Sequence, residues 1–376
     1  MPTPSLLLAV LAAVSTAKAA TTAANIDCHM VEFPVTATAN NEDYGNDFDP
    51  NNATSIVAFI DQALNTGSVG IVGQVSTTAS LSISAQYCGP AGATDLDTIQ
   101  VLVHGNTCNK AIWDALYQPQ LQNAGYSYQR FFASQGYASL AIDLPGHGNS
   151  THPDPNTVAQ IPLQAAVISG VTSALRTANN PLGTAFRKVI FGGHSFGSIT
   201  GVAAARFTPD FADALILTGW SVKLPLPNPL LQVQLQPAAL LFDRFRDLPL
   251  GYVTSSNFTG HEETFFAGDF DPSIPPISFA TQDIMTCGEG GSIGEGLQPA
   301  SGFKGKVFAI SGELDDYFCN AKNGDCADQL AASKALVPDA SLYETYPIPN
   351  TGHDFMFHHS STQAFQQIQQ FIEKNL

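Results

Sequence analysis

The chain is short of charge, and of positive charge above all. Only 12% of its 376 residues are Asp, Glu, Lys or Arg, and 15 Lys and Arg face 32 carboxylates, a formal net charge of −17. Phosphate backbones and anionic membrane surfaces repel a chain this acidic, which argues against nucleic-acid binding and against a basic lipid-binding patch. Long apolar runs are also missing. The first, Leu6–Val14, is too short to cross a hydrocarbon core of ~30 Å, and no later stretch approaches the ~18 apolar residues of a spanning helix. No C-x-x-C spacing occurs, so the cysteines do not read as zinc ligands. There is no internal repeat and no low-complexity tract. Apolar material is plentiful, however: 44% of residues are hydrophobic, ample for a large core.

The first apolar run is followed by Ala17-Lys18-Ala19, with small residues at the first and third positions. Residues 1–19 therefore read as a secretory signal peptide and the product as extracellular. Six cysteines after such a leader suggest three disulfides, with ~15 possible pairings. Cys319 and Cys326 flank a short loop and should form a local bridge. Cys28 with Cys88 and Cys108 with Cys287 are the expected remainder. N-x-S/T sequons at Asn52, Asn149 and Asn257 fit a secreted glycoprotein.

Residues 20–93 read as an N-terminal extension. Val31–Thr38 and Ser80–Tyr87 have strand patterning, and Pro34 confines the first to a sheet edge. Ile56, Phe59, Ile60 and Leu64 have helical spacing. From residue 94 the pattern changes. Thr98–Val103, Ala138–Ile142, Lys188–Phe191, Ala214–Leu217 and Val307–Ile310 are short apolar runs ending in turn residues, as strands buried on both faces do. Helical segments Tyr128–Gln135, Gln164–Ala178 and Ser198–Phe207 lie between them. This alternation predicts a doubly wound α/β domain with a mostly parallel sheet, in two parts, 94–220 and 301–376. Residues 221–300, rich in Pro, Gly and Phe, break the rhythm and read as an inserted cap or lid. They hold one expected helix, Pro237–Phe245, and Phe242, Phe258, Phe265 and Phe266 are candidates to line an apolar cavity. A last helix, Thr362–Leu376, carries Phe365, Ile368, Phe371 and Ile372 on one face.

Gly193-His194-Ser195-Phe196-Gly197 lies between a strand and a helix of small residues. A tight strand-to-helix turn with glycine two positions either side lifts a serine hydroxyl over a helix amino end, where N–H groups favour developing negative charge. Serine is a weak nucleophile and needs a base. His353, in Thr351-Gly352-His353-Asp354, follows the strand-like Leu342–Tyr346. His358 and His359 compete, but both read as solvated or helix-capping. Asp315 is the candidate acid that holds the base in its useful tautomer, with Asp316 and Glu313 as alternatives. Acyl transfer also needs two N–H donors for the oxyanion. The backbone of Phe196 is one. Asn106, in the turn His104-Gly105-Asn106-Thr107, is the other, with Thr107 in reserve. Asp143-Leu144-Pro145-Gly146-His147-Gly148-Asn149-Ser150 reads as a compact structural turn, with His147 as scaffold and not as base.

These four stretches together resemble the α/β-hydrolase superfamily, over about Leu96–Ala212 and Lys304–Leu376. The resemblance implies a mostly parallel sheet with the site at the strands' carboxyl ends, often under a cap, and chain order serine, acid, histidine. Trp113 stands where such members often carry an aromatic after the oxyanion loop. Ser195 in place of Asp or Cys disfavours epoxide hydrolase, haloalkane dehalogenase and dienelactone hydrolase chemistry. The N-terminal region and six cysteines resemble secreted fungal members. The expectation is a secreted serine hydrolase for a small-molecule ester or lactone, without cofactor or metal. Same-triad amide, peptide or C–C bond hydrolysis, cofactor-free perhydrolysis, tailoring of a secondary metabolite, and a noncatalytic ligand-binding protein on the same fold are the alternatives.

Overall fold

The computed structural model describes residues 26–45, 48–67, 69–94, 96–222, 226–319 and 325–376. The expected signal peptide lies outside them. The elements in chain order are β1 (Ile26–Asp43), α1 (Ala53–Thr66), β2 (Gly73–Pro90), β3 (Thr98–Val103), α2 (Pro119–Asn123), α3 (Tyr128–Ser134), β4 (Ala138–Ile142), α4 (Ile161–Leu175), β5 (Lys188–His194), α5 (Phe196–Phe207) and β6 (Ala214–Thr218). Then come β7 (Leu235–Pro237), β8 (Tyr252–Ser255), α6 (Phe258–Phe265), α7 (Ile274–Thr281), β9 (Met285–Thr286) and α8 (Cys287–Gly291). The last are β10 (Lys306–Gly312), α9 (Cys326–Ala332), β11 (Leu342–Ile348) and α10 (Ser361–Asn375).

One sheet runs β1-β2-β4-β3-β5-β6-β10-β11. β1, β2 and β4 pair antiparallel, and every later neighbour pairs parallel. The apolar runs explain the parallel part. Val101, Leu102, Leu140, Ala141, Ile190, Leu215 and Val307 are fully buried, because helices cover both faces. α4 packs on β1 and α5. α10 turns Phe365, Ile368, Phe371 and Ile372 inward, and Phe371 stacks on Phe308 of β10 with ring centroids 5.0 Å apart.

The N-terminal extension forms a long hairpin on this sheet. Pro34 sits on the edge strand, where a missing N–H costs no ladder bond to a second neighbour. Cys28 faces Cys88 in the register, and the two are bridged. Cys319 and Cys326 are also bridged. The third expected bridge is absent. Cys108 and Cys287 are free thiols. Cys108 follows the turn His104–Thr107 and lines a cavity, whereas Cys287 opens α8 with its N–H on the Gly251 carbonyl. Counting cysteines gives parity, not proximity, and a bridge needs both.

Two helix expectations also change. The expected helix Gln164–Ala178 starts earlier, at Ile161, because Pro162 fits a first turn. Pro237–Phe245 is not one helix. Pro237 ends β7, and two short 3-10 turns follow, Ala238–Leu240 and Asp243–Phe245. Leu240 and Leu241 are exposed, so the segment has no buried apolar stripe to hold a longer helix. The insert between β6 and β10 instead builds a small sheet, β7-β8-β9. Among the described residues no helix is long and apolar enough to cross a membrane.

Candidate active site

The three candidate catalytic side chains each sit just past the carboxyl end of a parallel strand, Ser195 after β5, Asp315 after β10 and His353 after β11, and the turns opened by His104 and Asp143 follow β3 and β4 on the same rim. In open α/β sheets this rim is where ligands bind.

The turn at Ser195 is backbone-strained. Its φ is 55° and ψ −119°, sparsely populated values for a residue with a Cβ and worth about 1–3 kcal/mol. The flanking glycines make the turn possible. A Cβ on Gly193 would lie 2.6 Å from the Ser198 nitrogen, and one on Gly197 would collide with the Val103 carbonyl. The Ser195 N–H is spent on the Thr218 carbonyl at 2.9 Å. Phe196 opens α5, where no helix carbonyl can reach its N–H.

Asp315 is fully buried. Its Oδ1 accepts the N–H groups of Tyr317 and Phe318 at 2.9 and 3.2 Å, and its Oδ2 accepts His353 Nδ1–H at 2.9 Å. Asp316 and Glu313 are exposed to solvent. With Nδ1 donating, the neutral His353 ring presents a lone pair at Nε2, which has no hydrogen-bond partner among the described residues. Ser195 and His353 line one cavity of about 560 Å³ together with Gly105, Asn106 and Phe196. Burial pushes the His353 pKa down, but the charge and hydrogen bond of Asp315 and the charge of Asp354 outweigh it, and the pKa is raised.

Asn106 and Thr107 separate clearly. The Thr107 N–H donates to the Ile284 carbonyl at 3.1 Å, so it is not free for an oxyanion. The Asn106 N–H makes no hydrogen bond among the described residues, and Asn106 lines the cavity.

His358 is not solvated. It is fully buried, with Nδ1 on the Asp354 carbonyl and Nε2 between Ala267 and the Gly352 N–H, and so it shapes the turn that carries His353. His359 is exposed and reaches the Tyr126 hydroxyl. His147 is scaffold of an unexpected kind. Nδ1 faces the Cys108 carbonyl at 3.1 Å and Nε2 faces Glu289 Oε1 at 2.7 Å, so both ring nitrogens meet acceptors. Burial lowers its pKa, but the charge and hydrogen bond of Glu289 and the charge of Asp283 raise it further, to about 9. Asp283, also on the insert, accepts Asn109 Nδ2–H and Gly148 N–H. The two turns are thus tied to the insert.

Sequence reasoning passed over one pair. His194, next to Ser195, donates from Nε2 to Oδ1 of Asp354, next to His353, at 3.1 Å. Both are buried, and their bond ties the turn of the serine to the turn of the histidine. Its only sequence signal is that adjacency. Trp113 is buried beside His194 and Tyr128, as support for this region. Of the four aromatic candidates in the insert, only Phe265 lines the cavity. Phe266 packs on Phe270 and His358, Phe258 is partly exposed, and Phe242 lies under Arg244.

A family model described as "Alpha/beta hydrolase family" matches residues 100–366. The chain belongs to the alpha/beta hydrolase family. Solved structures with this fold include an enol-lactonase from Burkholderia xenovorans, 17% identical, covering 78% of this chain and 97% of that one, with a TM-score of 0.52. Another is a thermophilic esterase from Thermogutta terrifontis, also 17% identical, covering 78% and 94%, with a TM-score of 0.48. No curated protein matches the sequence. The family model begins inside β3, so the hairpin β1–β2 and the helix α1 lie outside it.

Proposed function

We propose that this alpha/beta hydrolase is a secreted serine hydrolase cleaving a carboxylic ester or lactone. The observation that carries the reading is the buried Asp315–His353 bond, which leaves Nε2 unpaired in the cavity that Ser195 also lines. In the proposed reaction Nε2 takes the Ser195 proton as Oγ bonds to the acyl carbon. The N–H groups of Phe196 and Asn106 hold the oxyanion. The acyl–oxygen bond then breaks, and the alcohol leaves with the proton from His353. Water, deprotonated by the same nitrogen, releases the acid and restores Ser195. The segment between β6 and β10 acts as the cap. Secretion is supported by the two disulfides.

A fluorophosphonate probe tests the nucleophile. The folded protein should be labelled on the peptide containing Ser195, as read by mass spectrometry. Folded protein without label would favour the noncatalytic alternative.

A pH profile tests the base. His353 must be neutral to act, and its raised pKa places the acid limb of kcat/KM above the ordinary imidazole value of about 6.5. Asp354→Asn keeps an oxygen for His194 but removes a charge that raises this pKa. The limb should move toward lower pH. A limb that stays put, or moves the other way, would remove Asp354 from the account.

A further inference from the structure

The cavity has a wall that does not come from the hydrolase core. Ala63, Leu64, Thr66 and Gly67, at the carboxyl end of α1, line the same space as Ser195 and His353. We infer that α1 of the N-terminal extension is a specificity element, and that it selects an uncharged ester with an extended apolar arm. The inference rests on the triad reading and names the substrate class for it.

α1 is fixed there by its own sequence. Asn52 caps its start, with Oδ1 on the N–H groups of Thr54 and Ser55. Gly67 ends it in the left-handed region at φ 70°, its N–H on the Ala63 carbonyl. Ile56, Ile60, Ala63 and Leu64 are buried, and the helix packs on α8, β7 and the 3-10 turn Pro229–Val233 of the insert. Gly290 of α8 allows the close approach, since a Cβ there would lie 3.1 Å from Ile60 Cδ1. The Leu64 carbonyl accepts the Asn228 N–H at 2.9 Å, which joins the helix end to the insert. The side chain of Leu226 lies against Gly67.

The lining states the chemistry. Away from the reacting groups, Leu64, Ile199, Leu230, Ile293, Leu297 and Phe318 give a mostly apolar surface. No Lys or Arg lines the cavity among the described residues, and Asp354 does. An anionic substrate would enter without a counter-ion and meet a carboxylate. A cavity of about 560 Å³ falls in the range of ~300–1,000 Å³ that buries a drug-sized ligand, far more than an acetyl group fills.

The test compares p-nitrophenyl octanoate with p-nitrophenyl acetate in the full-length protein. Ala63→Phe projects a ring into the space and should lower the octanoate-to-acetate ratio of kcat/KM about tenfold or more, since even a methylene in an apolar pocket is worth about 10–200-fold. Leu64→Ala enlarges the space and should raise the ratio of palmitate to octanoate. If Ala63→Phe does not fold, Thr66→Trp at the exposed helix end should act in the same direction. Ratios unchanged in folded variants that still take the fluorophosphonate on Ser195 would overturn the wall assignment and leave the triad reading standing. Wild-type protein that fails to take the label would instead sink the triad reading.

Discussion

Ser195→Ala and Asp315→Asn are each expected to lower kcat by about 10⁴-fold or more toward an activated ester, with the fold intact by circular dichroism. The first removes the attacking oxygen. The second is the sharper test, because an asparagine has almost the same shape. Asp315 Oδ1 is held by two backbone N–H groups, at Tyr317 and Phe318. In the variant those donors would keep the amide oxygen and turn the NH2 group toward His353 Nδ1. An NH2 donor there demands a lone pair on Nδ1, which puts the ring proton on Nε2, the nitrogen that must accept from serine. The tautomer is then wrong for a base. Because the two changes act on one unit, the double variant should lose little more than either single one. A double variant that multiplied the two losses would show that Asp315 and Ser195 act separately.

The second large effect concerns stability. Glu289→Ala should lower the free energy of unfolding by about 3–5 kcal/mol, read by urea denaturation at neutral pH. Glu289 and His147 are both fully buried, and the charged ring would be left with no partner carboxylate in contact. Glu289 also accepts Gln164 Nε2–H at 2.6 Å and the Thr286 N–H at 2.7 Å, so several donors lose their acceptor together. The pH dependence has a definite sign. The folded pKa of His147, about 9, exceeds the unfolded value near 6.5. Its contribution is therefore complete below about pH 6.5 and is lost as pH rises through about 9. Wild type should weaken over that window, and His147→Gln should weaken less. Equal slopes for the two proteins would mean that His147 is neutral when folded.

The parallel core is legible in the sequence because its strands are short apolar runs that stop at glycine, aspartate or histidine. Each stop is a strand end, and the strand ends carry Ser195, Asp315 and His353. The choice of Asp315 over Asp316 was open in the sequence, since neighbouring carboxylates look alike until burial separates them. What joins distant turns is less legible. The His194–Asp354 bond and the His147–Glu289 pair each connect residues more than a hundred positions apart, and no local period marks them. The insert is least legible, because its short 3-10 turns and three-stranded sheet carry no repeating pattern. α1 showed its apolar face in the spacing of Ile56, Ile60 and Leu64, but not what that face would meet. Cysteine parity likewise says nothing of contact: two of the three expected bridges form, and Cys108 and Cys287 stay apart.

The place of α1 in the chain has an evolutionary consequence. The segment that chooses the guest precedes, in the chain, the machinery that would transform it. Changes near Leu64 can therefore retune appetite while the reacting atoms stay untouched.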